Sequence, residues 1–200
     1  MVTLEKAKTA LFVMDFQNDI VDPKGVLGAQ GMAAQVQEKK AIENTAKALE
    51  AARSKGLLVV HVGVAFRKGY PEIGPGAPLF QGIKQANALL EGSWGADFHP
   101  GVKPVEGEVV VIKRGVSALA GTDLNAMLRS KGIATLVLTG IATNFVIEGT
   151  ARHAVDEGYQ VVVLTDCCAS FNEQMHTFSL RILSQLSTAA TAEEFVTAAS

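Results

Sequence analysis

Five apolar runs constrain this chain more than any other feature. They are TALFVMDF (9–16), LLVVHVGV (57–64), EVVVIK (108–113), ATLVLTG (134–140) and QVVVLTD (160–166). Each is nearly unbroken in Val, Leu and Ile. A strand with one wet face alternates apolar with polar residues; a strand covered on both faces does not. The runs therefore predict buried strands of a parallel sheet, with a weaker sixth strand near 187–191.

Between the runs, apolar residues recur at helical spacing. Ile42, Ala46, Leu49 and Ala52 share a face within 35–55, and Gly56 follows as a stop. Thr122 or Asp123 can cap a helix over 122–132, with Leu124, Met127 and Leu128 facing inward and Gly132 ending it. Ile147, Thr150, Ala151, Ala154 and Val155 mark the inner face of 144–158, which Gly158 ends. Met175, Phe178, Ile182 and Leu186 predict the inner face of 174–186. Strand and helix thus alternate, which implies right-handed βαβ units and an α/β fold with helices on both faces of the sheet. The exception is 65–107, rich in Gly and Pro, with one short helix around 82–90. Long connections inside compact domains are usually functional or disordered. Phe66, Phe80, Trp94 and Phe98 within this one predict an ordered cover. No repeat, low-complexity tract or linker divides the chain, so residues 1–200 read as one domain, long enough to bury about 70% of its unfolded surface.

Several function classes are excluded early. The net charge is −2 and Lys and Arg are scattered, so there is no basic footprint for nucleic acid and no polybasic patch for a membrane. The apolar run before Asp15 is about six residues, too short for a signal peptide or a span. The two cysteines, Cys167 and Cys168, are adjacent and cannot form a disulfide framework, which points to a reducing, cytoplasmic setting. His61, His99, His153 and His176 show no metal-ligand spacing, and no G-x-G-x-x-G follows the first strand. The expectation is a protein without metal or other cofactor, acting on a small organic molecule.

In open α/β sheets ligands bind beyond the carboxyl ends of the strands. The first run delivers Asp15, Phe16 and Gln17 there, the third Lys113 and Arg114, the fourth residues 140–144, and the fifth Asp166. A carboxylate closing a strand, or a lysine snorkelling off one, is ordinary taken alone. An acid and a base on one rim are a candidate proton-transfer pair, in which each charge favours the other and desolvation opposes both.

Three blocks in this order, LFVMDFQNDIVDPKG (11–25), GSWGADFHPGVKPVEGEVVVIKRGVSALAGTDL (92–124) and LVLTGIATNFVIEGTARHAVDEGYQVVVLTDCCAS (136–170), are similar to the isochorismatase-like hydrolases, a family that includes nicotinamidases, N-carbamoylsarcosine amidases and isochorismatases. The resemblance covers nearly the whole chain. It implies a Rossmann-like three-layer α/β/α sandwich with a six-stranded parallel sheet. It also implies a catalytic aspartate at Asp15, a lysine at Lys113, a cis peptide between Ile141 and Ala142, and an oxyanion hole from the N–H groups of Ala142 and Val146. The family's nucleophilic cysteine falls at Val146, so this chain resembles a variant without it. The resemblance further favours Trp94 and Phe145 as pocket walls, joined by Phe16 and Phe66, with Gln17 as a polar contact. It implies a homodimer or homotetramer, for which the apolar tail of 174–186 and EEFVTAA offer surface. His61 stands where the metal-binding relatives carry an aspartate–histidine cluster, which is missing here.

Valine has no group able to attack, so a thioester route is closed unless Cys167 or Cys168 steps in, and two small buried thiols are the simpler reading of those residues. A non-covalent route remains. Asp15 could protonate a substrate carbon or activate water, with the backbone hole intact. A family member that binds a small molecule or a partner without turning it over is the alternative.

Overall fold

The computed structural model describes residues 4–198; residues 1–3 and 199–200 of the expected 1–200 domain lie outside them. Six strands form one all-parallel sheet in the order β3-β2-β1-β4-β5-β6. They are β1 (Thr9–Met14), β2 (Leu58–Val64), β3 (Val109–Lys113), β4 (Thr135–Ile141), β5 (Gln160–Ala169) and β6 (Thr188–Ala190). The helices are α1 (Asn18–Val21), α2 (Met32–Glu38), α3 (Ala41–Lys55), α4 (Pro78–Gln85), α5 (Leu124–Ser130), α6 (Glu148–Asp156), α7 (Glu173–Leu183) and α8 (Ala192–Ala198). The strand order reverses between β1 and β4, the switch point at which a parallel sheet opens a crevice at its carboxyl rim.

The unbroken apolar runs have the expected cause. Along β1, Leu11 and Val13 join one core with α2, α3 and α8, while Ala10, Phe12 and Met14 join a second core with α5, α6 and α7. All six β1 residues are buried. Strand β3 departs from that pattern. It lies at the sheet edge, and Val110 and Ile112 are exposed there.

Three helical expectations are corrected. The segment 35–55 is two helices, broken where Lys40 takes a left-handed backbone (φ 52°). The helix after β4 starts as a π-turn over Thr143–Ile147 before α6 begins. Helix α7 is rotated by about a quarter turn from its apolar stripe: Met175 and Phe178 are exposed, Ile182 is half-buried, and His176, Ser179 and Leu183 face inward. That inner face is held by hydrogen bonds, Ser179 Oγ to Glu148 (2.8 Å) and the His176 ring to Thr143 (2.8 Å). Periodicity finds a stripe but does not say which side of the helix carries the polar partners. The segment 65–107 is an ordered cover whose helix, α4, sits a few residues earlier than expected. No helix among the described residues is long and apolar enough to cross a membrane.

Candidate active site

Asp15 is the first residue beyond β1, and its N–H is held by the Val62 carbonyl of β2 (2.8 Å). Its backbone is left-handed (φ 58°), a conformation Asp tolerates better than most residues. The turn swings its carboxyl under the sheet rim. Lys113 is the last residue of β3, two strands away, across about 10 Å at the usual strand spacing. Only a long side chain spans that gap. Lys113 Nζ donates to Asp15 Oδ2 (2.8 Å) and to the Gly115 carbonyl (2.9 Å). Both residues are buried, and Asp15 Oδ1 has no partner among the described residues. Burial pushes the Asp15 carboxyl above its ordinary value, and the nearby Lys113 ammonium only partly opposes that shift.

The pair forms the polar floor of a cavity that opens to solvent. The other walls are apolar. Ile20, Leu27 and Met32 come from the segment after β1, Leu79, Phe80, Ile83 and Leu89 from the cover, and Ile141, Ala142, Phe145 and Val146 from β4 and the π-turn. Phe171 closes a further side. The Ile141–Ala142 peptide is cis. Ala142 and Val146 both line the cavity, with Val146 at the position where the family resemblance expected a cysteine.

The cover is tied down by three consecutive buried residues that sequence patterning missed as a unit. The Gln17 amide donates to the Val64 and Ala96 carbonyls (2.9 and 2.7 Å) and accepts from Val64 N–H (2.7 Å). Asn18 donates to the Trp94 carbonyl (2.8 Å). Asp19 accepts from Leu89 N–H (2.7 Å) and Val26 N–H (3.2 Å), fixing the segments that carry the wall residues Leu89 and Leu27. Gly95 allows the approach, since a Cβ there would stand 2.1 Å from an Asp19 oxygen. A run of Gln, Asn and Asp just after a strand is the signal that could have identified this tether.

Of the five residues expected to contact substrate, Phe145 lines the cavity. Gln17 does not, because its amide is committed to the backbone bonds just described. Phe16 and Phe66 are wholly buried in the core; Phe66 packs edge-on against the wall residue Phe80 (5.9 Å) and so supports the wall from behind. Trp94 is 50% exposed and does not line the cavity; its carbonyl accepts from Asn18. The thiols are not at the site either. Cys167 and Cys168 belong to β5 itself, are wholly buried and do not line the cavity. Burial holds the Cys167 thiol well above its ordinary pKa and pushes Cys168 up to about 12. Thiolates are the nucleophilic form, so neither sulfur is poised to attack.

No group of three or more His, Cys, Asp or Glu among the described residues is arranged to hold a metal. His61 is buried in β2 with its Nε2 on Glu108 (2.9 Å), and His99 Nδ1 accepts from Gly101 N–H (3.2 Å). His176 braces the π-turn through Thr143, whose hydroxyl also reaches the Ala169 carbonyl (3.0 Å). Burial, with the Lys39 ammonium beside it and Glu173 partly offsetting, lowers the His176 pKa from 6.5 to about 4. The folded state thus binds this proton less readily than the unfolded chain. Stability from His176 is complete above pH 6.5 and is lost as pH falls towards 4. Acidification across that window should remove about 1–2 kcal/mol after allowance for solvent screening. Melting temperatures from pH 7 to 4 check this, and the slope should flatten in His176→Gln.

Residues 9–194 match the family model of the Isochorismatase domain. The uncharacterised isochorismatase family protein YwoC of Bacillus subtilis (strain 168) is 32% identical over 196 residues, which are 98% of this chain and 96% of that protein. An isochorismatase-like hydrolase from Alkaliphilus metalliredigens, known from its crystal structure, is 33% identical, with a TM-score of 0.79 over 96% of this chain and 98% of its own. The N-carbamoylsarcosine amidase of Thermoplasma acidophilum is 25% identical, with a TM-score of 0.73 over 93% of this chain and 97% of its own.

Proposed function

The chain belongs to the isochorismatase family, and on that premise we propose that it hydrolyses a small organic molecule by acid–base chemistry without a covalent enzyme intermediate. The observation that carries this reading is the buried Asp15–Lys113 pair on the floor of an otherwise apolar cavity, with Asp15 Oδ1 unpartnered, and no cysteine on the walls, among the described residues.

The chemistry follows from the two ends of the Asp15 carboxyl. Oδ2 is fixed by Lys113, which orients the group and opposes the effect of burial on its charge. Oδ1 is the oxygen left to exchange a proton. As a carboxylate, Asp15 takes a proton from water while the water oxygen bonds to the electrophilic carbon of the substrate. As the acid, it returns that proton to the leaving atom as the bond to it breaks. A raised pKa brings the two forms closer in population near neutral pH, which suits a group that must do both. The N–H groups of Ala142 and Val146 take the negative charge that develops on the substrate oxygen, a role the Val146 backbone keeps whatever its side chain. For a vinyl ether the same acid acts first, protonating carbon, and water follows.

The testing experiment is hydrolysis of a panel of esters, amides, ureido compounds and isochorismate before and after exhaustive alkylation. Turnover unaffected by alkylation is expected. Loss of turnover traced to Cys167 or Cys168 would overturn the thiol-free route, and no turnover of any compound would leave the family fold as a binding protein. The same reagent makes a second prediction. Native wild-type protein should take up no iodoacetamide over an hour at pH 8, because both thiols are buried away from the cavity, whereas Val146→Cys, on the wall of that open cavity, should be labelled at one site. Mass spectrometry of the intact chain reads both.

A further inference from the structure

We infer that the cavity selects an uncharged ligand with an apolar body and one N–H or O–H donor, and rejects carboxylates, including dicarboxylates of the isochorismate type. The inference rests on the same cavity being the substrate site and narrows what enters it.

The walls account for the apolar body. Leu27, Leu79, Phe80, Ile83, Phe145 and Phe171 surround the floor, and among the described residues the only charged side chains in the lining are Asp15 and Lys113. Those two lie 2.8 Å apart, and with Asp15 ionised they present a pair of zero net charge. A ligand carboxylate entering here would lose its hydration without gaining an unpaired cation. Lys113 has one donor beyond those given to Asp15 and Gly115, yet an anion reaching it would lie against the Asp15 carboxylate. A buried charge left without its own partner is disfavoured by several kcal/mol.

The nearby arginines do not relieve this. Arg114 follows Lys113 in sequence but turns to the Ala65 carbonyl and Glu91, and Arg67 is paired with Glu72. Neither lines the cavity. The donor on the ligand is required by the other oxygen of the floor. Asp15 Oδ1 is buried with no partner among the described residues, and such an acceptor calls for an N–H or O–H from whatever fills the space above it.

Calorimetric titration of the wild-type protein at pH 8 with matched pairs tests the inference: benzamide against benzoate, naphthalene-2-carboxamide against naphthalene-2-carboxylate, and isochorismate alone. The neutral member of each pair should bind at least tenfold tighter than its carboxylate, with isochorismate weaker still. Leu79→Arg, which adds an unpaired cation to the wall at a half-buried position, should close the gap by about tenfold through tighter carboxylate binding. Carboxylates binding as well as amides to wild type would overturn the inference. So would failure of both amides to bind, or an unchanged preference in Leu79→Arg. Tight amide binding with no product supports the inference while counting against hydrolysis of that compound. Turnover of isochorismate with strong binding does the reverse.

Discussion

Replacing Asp15 by asparagine should lower turnover of any substrate the protein hydrolyses by at least about a hundredfold, the usual contribution of a positioned general acid–base. The amide keeps the size of the carboxyl and can still accept from Lys113, so the cavity is not reshaped. It cannot take up or release a proton. The loss should appear in kcat, since removal of a proton-transfer group acts on the transition state, and KM should rise as well, because with its oxygen on Lys113 the amide turns an N–H towards the ligand where Oδ1 offered an acceptor. Wild-type kcat should also change with pH according to the ionisation of Asp15, whose pKa lies above its ordinary value, and that ionisation should vanish from the residual activity of Asp15→Asn. Turnover retained within threefold of wild type would remove Asp15 from the mechanism.

The sheet and its faces were legible because their cause is local and repeated. A run such as Leu11–Met14, buried on both sides, must be apolar at every position, and that is visible without any neighbour being known. Asp15 and Lys113 were legible for a related reason: a charge placed directly after such a run is put on the rim by the strand itself. The cavity walls were not. Leu27, Leu79, Ile83 and Phe171 come from separate connections with no shared period, and only the tertiary fold brings them over the Asp15 carboxyl. The expectation for Gln17 fell short because proximity to the site was taken for contact. Its amide is the join between β2 and the cover: both N–H donors and one oxygen lone pair are spent on backbone groups, and the residue does not line the cavity. Trp94 illustrates the opposite error, since a lone large aromatic in a cover can face either way. Helix α7 adds a third, because hydrogen bonding by His176 and Ser179 decided its orientation against the apolar stripe.

Removing Lys113 should cost stability as well as activity. Lys113→Met keeps most of the apolar stem but leaves the Asp15 carboxylate buried with no cation and no hydrogen bond among its present partners. Breaking a buried pair from one side typically costs about 3–5 kcal/mol, mostly for the charge left behind. The pH dependence identifies that cause. Without Lys113, burial acts on Asp15 unopposed, so its folded pKa rises further above the unfolded value of 3.8. A carboxyl raised in this way contributes stability below the unfolded pKa and loses it as pH rises through the folded one. The Lys113→Met deficit should therefore be largest at pH 8 and shrink steadily towards pH 4, where the carboxyl is protonated. Adding Asp15→Asn removes the stranded charge, so the double variant should be more stable at pH 8 than Lys113→Met alone. Urea denaturation of the four proteins of this cycle at both pH values measures the coupling. A deficit that does not change with pH, or a double variant no more stable than Lys113→Met, would mean that Lys113 contributes by packing, and that the two charges on the cavity floor are not energetically joined.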